Sequence, residues 1–181
     1  MNGTIIRTGL DLAALPAALL ATAKSHLRVS GSYDDAYITV TIGRAINWFE
    51  RVTNVTVNKV IWEWSPDAAA FRDGRAQVPV SPVNSFTVDA GGDISGDFLM
   101  ETMSTHGIGL YALVGAHVDG MKVSIPSGYE NATALDYGIA DAVLRYTAHL
   151  YEHREILVPG SDAQTPGWMT DVIATYWMPR I

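Results

Sequence analysis

The chain has no cysteine, and only 17% of its 181 residues are charged. Without cysteine, disulfides and thiolate metal sites are excluded, and synthesis and assembly in a reducing cytosol are comfortable. Basic residues are scarce: 12 Lys and Arg stand against 19 Asp and Glu, for a net charge of −7 with the His neutral. Lys24, His26 and Arg28 form the one basic cluster. It is too small to grip nucleic-acid phosphates, which takes clustered Lys and Arg, although DNA sliding past is not excluded. Long apolar runs are also missing. The best candidate, "LDLAALPAALLATA" at residues 10–23, contains Asp11 and Pro16. It falls short of the roughly 20 apolar residues that span a bilayer, so it reads as a helix start in a soluble protein. There is no internal repeat and no low-complexity segment.

What remains is globular: 48% of residues are hydrophobic, enough chain for one domain or one domain with an insertion. Residues 1–9 are small and polar and read as a loose arm. A first helix is expected from Leu12 or Pro16, broken by Gly31 in Ser30-Gly31-Ser32. A second is expected from about Asp34, with Ser32 as N-cap and Asp34 and Asp35 favouring the positive end of the dipole. Its apolar stripe is Ile38, Ile42, Ala45, Ile46, Phe49 and Val52, and it ends near Thr53-Asn54.

From there the texture turns to β. "VTVNKVIWEW", "AQVPVSP", "NSFTVDAGG", "GIGLYALV" and "MKVSIP" are short strand-like runs, and Asp119-Gly120 is a turn signal between the last two. Helix returns at about Ala134, with a stripe of Leu135, Ile139, Ala142, Val143, Tyr146 and Leu150 that ends at Val158-Pro159-Gly160. The polar hinge "GSDAQTPG" leads to "WMTDVIATYWMPRI", a short terminal helix. The expected class is α+β. A helical core (two N-terminal helices, one long C-terminal helix and a short terminal helix, residues 10–55 and 130–181) carries an inserted small antiparallel β subdomain at residues 56–129.

Several constellations invite a reading as chemistry. His149 and His153 lie four apart on a helix, both within about 60° of Tyr146 on a helical wheel. A zinc-protease signature needs Glu directly after the first His, where Leu150 stands, and no third ligand is nominated, although His106 and His117 could be close in space. His153 and Arg154 are better explained as partners of a helix C-terminus. Ser104, Thr105 and His106 with Asp136 or Asp141 lack a nucleophile turn of the G-x-S-x-G kind. Asp34 and Asp35 are adjacent on a helix and point to different sides, which rules out an acid/base pair. Gly91-Gly92 lacks the Gly-Lys-Ser/Thr of a phosphate loop. The expectation is a protein without catalytic residues, metal or cofactor.

Two stretches resemble a known family. "TAKSHLRVSGSYDDAYITVTIGRAINWFERVT" at residues 22–53 is similar to the N-terminal signature of head–tail connector proteins of tailed phages and gene transfer agents, also called adaptor or head-completion proteins. The family pattern is a helix ending in "AK-x-HLRV", a loop with paired acidic residues, and a second helix. Lys24, His26, Leu27, Arg28, Asp34 and Asp35 fall on it. "VSIPSGYENATALDYGIADAVLRYTAHLYEHRE" is similar to the family's strand, Gly-Tyr, loop and helix ending in "HxYExRE", with Gly128, Tyr129, His149, Tyr151, Glu152 and Arg154 matching. His153 stands where relatives often carry Asn, and Ser127 where they commonly carry Ala. Residues 65–107 carry no diagnostic match.

The resemblance implies a structural role in the virion neck, after assembly in the host cytoplasm. Family members form a ring, usually twelve-fold, beneath the portal protein. They extend the channel through which DNA passes as cargo, and they present a surface to a tail-side stopper or tail-completion protein. No membrane is involved. The C-terminal segment of such proteins typically reaches into the portal, which nominates Trp168, Met169, Val172, Ile173, Tyr176, Trp177, Met178 and Arg180 as a docking site. A short apolar helix cannot bury itself, so it docks on a partner or folds back on its own core; docking is the expectation. Carboxylates facing a channel would let DNA slide, and Asp89, Asp93 and Asp97 are nominated. Two alternatives stay open. One is a tail-side or neck structural protein that does not contact the portal. The other is a metal-dependent hydrolase using His149, His153 and a carboxylate.

Overall fold

The computed structural model describes residues 3–9, 12, 14–104, 110–153 and 167–177. The described residues form four α-helices and two four-stranded antiparallel sheets, a mixed α+β fold. The chain divides into two compact units, one over Asn54–Gly128 with the N-terminal strand and the other over Leu12–Thr53 and Tyr129–Trp177.

The β unit begins with β1, Thr4–Thr8. The loose arm expected at the N-terminus is therefore a strand. Its run of Thr and Ile suits a pleated edge, and its backbone pairs antiparallel with β2, Val60–Ser65, in a register that sets Arg7 opposite Trp62. The Arg7 guanidinium lies 5.4 Å from the centre of the Trp62 ring. β8, Lys122–Ser127, pairs with the other side of β2, and β5, Thr87–Asp89, closes this sheet in the order β1-β2-β8-β5.

The second sheet has the order β3-β4-β7-β6. Its strands are Phe71–Arg72, Arg75–Gln77, Leu110–Val114 and Leu99–Ser104. β3 and β6 are strands that periodicity did not nominate, and the run "AQVPVSP" yields a strand only as far as Gln77, ahead of Pro79. Asp119-Gly120 does form a turn, with the Met121 amide donating to Val118 O at 3.1 Å. That turn carries the chain from one sheet to the other instead of closing a hairpin, because β7 and β8 belong to different sheets. The buried cluster of Trp64, Ala76, Val78, Val88, Phe98, Leu113, Met121, Val123 and Ile125 draws on both sheets. Alternation decides this: Trp62 and Trp64 point inward from β2, while Ile61 and Glu63 face solvent.

The helical unit is α1 (Ala14–Leu27), α2 (Asp35–Thr53), α3 (Tyr137–Glu152) and α4 (Gly167–Tyr176). Leu15, Leu19 and Ala23 of α1, Ile38, Ile42, Ala45, Ile46 and Phe49 of α2, and Ile139, Ala142 and Val143 of α3 are buried. Each fully buried Ile or Phe stabilises the unit by about 1.5–3 kcal/mol. Thr41, Thr53 and Thr147 are buried as well, and each hydroxyl donates to the carbonyl four residues earlier, at 2.7–2.8 Å. A polar group is thereby carried into the core without an open hydrogen bond.

Three helix boundaries differ from expectation. α1 stops at Leu27 because Arg28 adopts φ +57°, and the Arg28 and Val29 amides donate to Ser25 O and Lys24 O. This is a Schellman closure built on arginine; Gly31 lies beyond the break. α3 starts three residues later than Ala134, since Asn131 Oδ1 accepts from the Thr133 and Ala134 amides and Asp136 is the N-cap. It ends at Glu152 with His153 as C-cap, well short of the expected Val158-Pro159-Gly160, which lie outside the described residues.

Candidate functional site

The acidic pair at the start of α2 ties three helices together. Asp35 Oδ1 lies 2.6 Å from Lys24 Nζ, near the end of α1, and the same ammonium donates to Gly31 O in the connecting loop. Asp34 Oδ2 accepts from Tyr151 Oη at 2.6 Å, in the last turn of α3. The Tyr151 ring also lies 6.0 Å from that of Tyr37. The two carboxylates do point to different sides, and each has its own structural partner. His26 and Arg28 are exposed and Leu27 is half-buried.

The second motif is also explained by backbone geometry. Gly128 has φ +86°, and a Cβ there would lie 2.2 Å from Asn58 O, so only glycine fits. Tyr129, after it, is half-buried. In α3, His149 is half-buried beside Tyr146, with ring centres 6.1 Å apart, and His153 follows at 4.6 Å. The His153 amide donates to His149 O at 3.0 Å and its Nδ1 lies 2.9 Å from the same oxygen. Both histidines belong to a helix end. Glu152 is exposed, and Arg154 lies outside the described residues.

Other candidate groups are engaged in structure. Asp141 forms an i,i+4 pair with Arg145 at 2.8 Å, and Asp136 caps α3. His117 Nε2 lies 3.3 Å from Pro66 O. Thr105 and His106 fall outside the described residues. Among the described residues, no group of three His, Asp or Glu is placed to hold a metal. Asp89, Asp93 and Asp97 are exposed. Asp93 accepts from the Ser95 hydroxyl and amide, which hold its carboxyl below the usual carboxylate value.

The C-terminal helix lies on its own unit. Met169 of α4 is buried, Trp168, Val172, Ile173 and Tyr176 are half-buried, and Trp177 is 56% exposed. Trp168 meets the edge of Trp48 at 6.3 Å, and Trp48 stacks on Tyr146 at 4.3 Å. The Tyr176 ring packs T-shaped on Phe49 at 5.6 Å, and its hydroxyl donates to Asp136 Oδ1 at 2.7 Å. Burial and then this hydrogen bond push the phenol pKa above its ordinary value. Met178 and Arg180 lie outside the described residues. The seat of α4, made by Trp48, Phe49, Asp136 and Tyr146, was not nominated from sequence. Asp136, three residues before Ile139 of the helical stripe, carried an N-cap signal; the aromatic seat had none, because its members come from different helices.

No family model matches the sequence, and no curated protein matches it. The fold does have solved counterparts, among them chains of gene transfer agent (GTA) particles. A chain from the virion of the native particle superposes with a TM-score of 0.66 at 21% identity, over 98% of this chain and 97% of that one. A chain from the neck of the native particle, computed with C12 symmetry, gives 0.68 at 18% identity over 100% and 97%. One from the neck of the empty particle, computed with C6 symmetry, gives 0.64 at 20% identity over 98% and 97%. The class is thus defined by fold: this chain has the backbone architecture of GTA virion and neck chains along its whole length. No helix among the described residues is long and apolar enough to cross a membrane.

Proposed function

We propose that the protein is a non-catalytic structural component of a virion neck, a head–tail adaptor of a tailed phage or gene transfer agent. The observation that carries this reading is the match in fold, over 100% of the chain, to a neck chain of a particle computed with C12 symmetry. The two sequence motifs support it independently, since Lys24, Asp34, Asp35, Gly128 and Tyr151 each have a specific structural task. In this reading the chain forms a ring, with twelve copies the expected number, around a channel for DNA. It docks on the portal protein and offers its other side to a tail-side stopper or completion protein. The net charge of −7, with exposed Asp89, Asp93 and Asp97, suits a wall past which phosphates slide.

The docking element is the C-terminal segment: Trp168, Met169, Val172, Ile173, Tyr176 and Trp177 of the described residues, continued by Met178 and Arg180. Aromatic and Arg side chains are what binding surfaces favour. The packing of α4 on α2 and α3 favours a second reading, a neck protein that does not contact the portal and uses α4 as part of its own core.

A pull-down with the portal protein of the same genome separates the two, using the full chain and a version ending at Gly160. Binding by the full chain alone supports the C-terminal anchor. Binding by both keeps the adaptor role and removes the anchor assignment. Binding by neither moves the protein to the tail side of the neck.

A further inference from the structure

We propose that Tyr176, Asp136 and Gly138 form a clasp that holds α4 closed on its own helices, storing the docking helix until a partner takes it. The inference rests on the portal-docking reading for the identity of that partner. The clasp itself stands on geometry.

One carboxylate oxygen does two jobs. Asp136 Oδ1 accepts from the Gly138 amide at 2.9 Å and the Ile139 amide at 3.3 Å, which caps α3, and it accepts from Tyr176 Oη at 2.7 Å. The end of α4 is thereby tied to the start of α3, 40 residues earlier in the chain. The hydroxyl reaches this oxygen through space that a side chain at position 138 would fill. A Cβ on Gly138 would sit 2.0 Å from Tyr176 Oη and 3.1 Å from its Cζ. Gly138 is not in the left-handed region, and glycine is a poorer helix former than alanine. Helix formation by α3 gives no reason for glycine here; the tyrosine hydroxyl does.

The rest of α4 is held lightly. Of its ten residues only Met169 is buried. A helix this short has no standing stability in water, so closure depends on Met169, the Trp168–Trp48 and Tyr176–Phe49 ring contacts, and the clasp. Release is opposed because it uncovers Phe49, which is fully buried with α4 in place. This is a two-state element with a modest gap, of the kind a partner can shift by binding the open form better than the closed one. A stored anchor also keeps Trp168 and Met169 out of contact with other copies before assembly.

The test uses the full-length chain with Gly138→Ala, which displaces the Tyr176 hydroxyl while favouring α3, and Tyr176→Phe, which keeps the ring on Phe49 but removes the donor. Amide hydrogen exchange is compared over residues 167–177 and 137–152. The expected result is exchange about 5–10-fold faster over 167–177 in both variants, as for the loss of one hydrogen bond, with no acceleration over 137–152. Affinity of Gly138→Ala, whose changed residue lies outside the docking element, for the purified portal protein of the same genome should rise by the same factor, since apparent affinity scales with the open fraction. Unchanged protection of 167–177 in both variants overturns the clasp. Faster exchange with unchanged portal affinity upholds the clasp and counts against the portal as its partner.

Discussion

Tyr151 donates a 2.6 Å hydrogen bond to Asp34 across 117 residues of sequence, joining the last turn of α3 to the start of α2. Both side chains are half-buried, so the bond is charge-assisted and partly shielded from water. Tyr151→Phe and Asp34→Asn should each destabilise the chain by about 1 kcal/mol in urea unfolding. A double-mutant cycle should return a coupling of about 0.5–1 kcal/mol. A coupling near zero would show that Asp34 acts at this place only through the helix dipole.

Arg28 holds a position where an L side chain is strained, at φ +57° in the Schellman closure of α1. Arg28→Gly should raise stability by about 0.5–1 kcal/mol, the relief of left-handed strain less the added freedom of the unfolded chain. Arg28→Ala should bring no such gain. Thermal unfolding of the three proteins decides it.

Gly128 and Gly91 share nearly the same backbone angle, φ +86° and +85°, but differ in surroundings. A Cβ on Gly91 meets nothing within 4 Å, whereas one on Gly128 meets Asn58 O at 2.2 Å. Gly91→Ala should therefore cost about 1 kcal/mol from strain alone. Gly128→Ala should cost more than about 2 kcal/mol, because the backbone must shift as well. Equal losses in melting temperature would refute the steric account.

Tyr176 links the closure of α4 to alkaline pH. Its phenol is raised above the ordinary tyrosine value of about 10 by burial and by Asp136. The folded state thus favours the neutral phenol. Its contribution is fully present below pH 10 and is lost as pH rises further. Hydrogen exchange of α4, referenced to α3, should accelerate above about pH 10 in the native sequence and show no such step in Tyr176→Phe. A step that persists in the Phe variant would assign the transition to another group.

The sequence alone established a good deal. The stripes Ile38–Ile42–Ala45–Ile46–Phe49 and Ile139–Ala142–Val143 are local patterns of 3.6-residue period, and they are the buried faces of α2 and α3. The paired acidic residues and the Gly-Tyr step were legible as motifs, as was the absence of cysteine and of a basic patch. The α3 start at Asp136 and the α1 stop at Arg28 were missed, since capping depends on dihedral angles and on which oxygen reaches which amide. Tertiary structure decided everything that turns on pairing at a distance. β1 looked like an arm because a strand of five residues is defined by its neighbour, here β2, more than 50 residues away. Asp119-Gly120 signalled a turn but not which sheets it would join. The seat of α4 shows the same limit: Trp48, Phe49 and Asp136 come together only because α2 and α3 pack side by side. Periodicity reports which face of an element seeks burial; what it is buried against is settled by packing the whole chain at once.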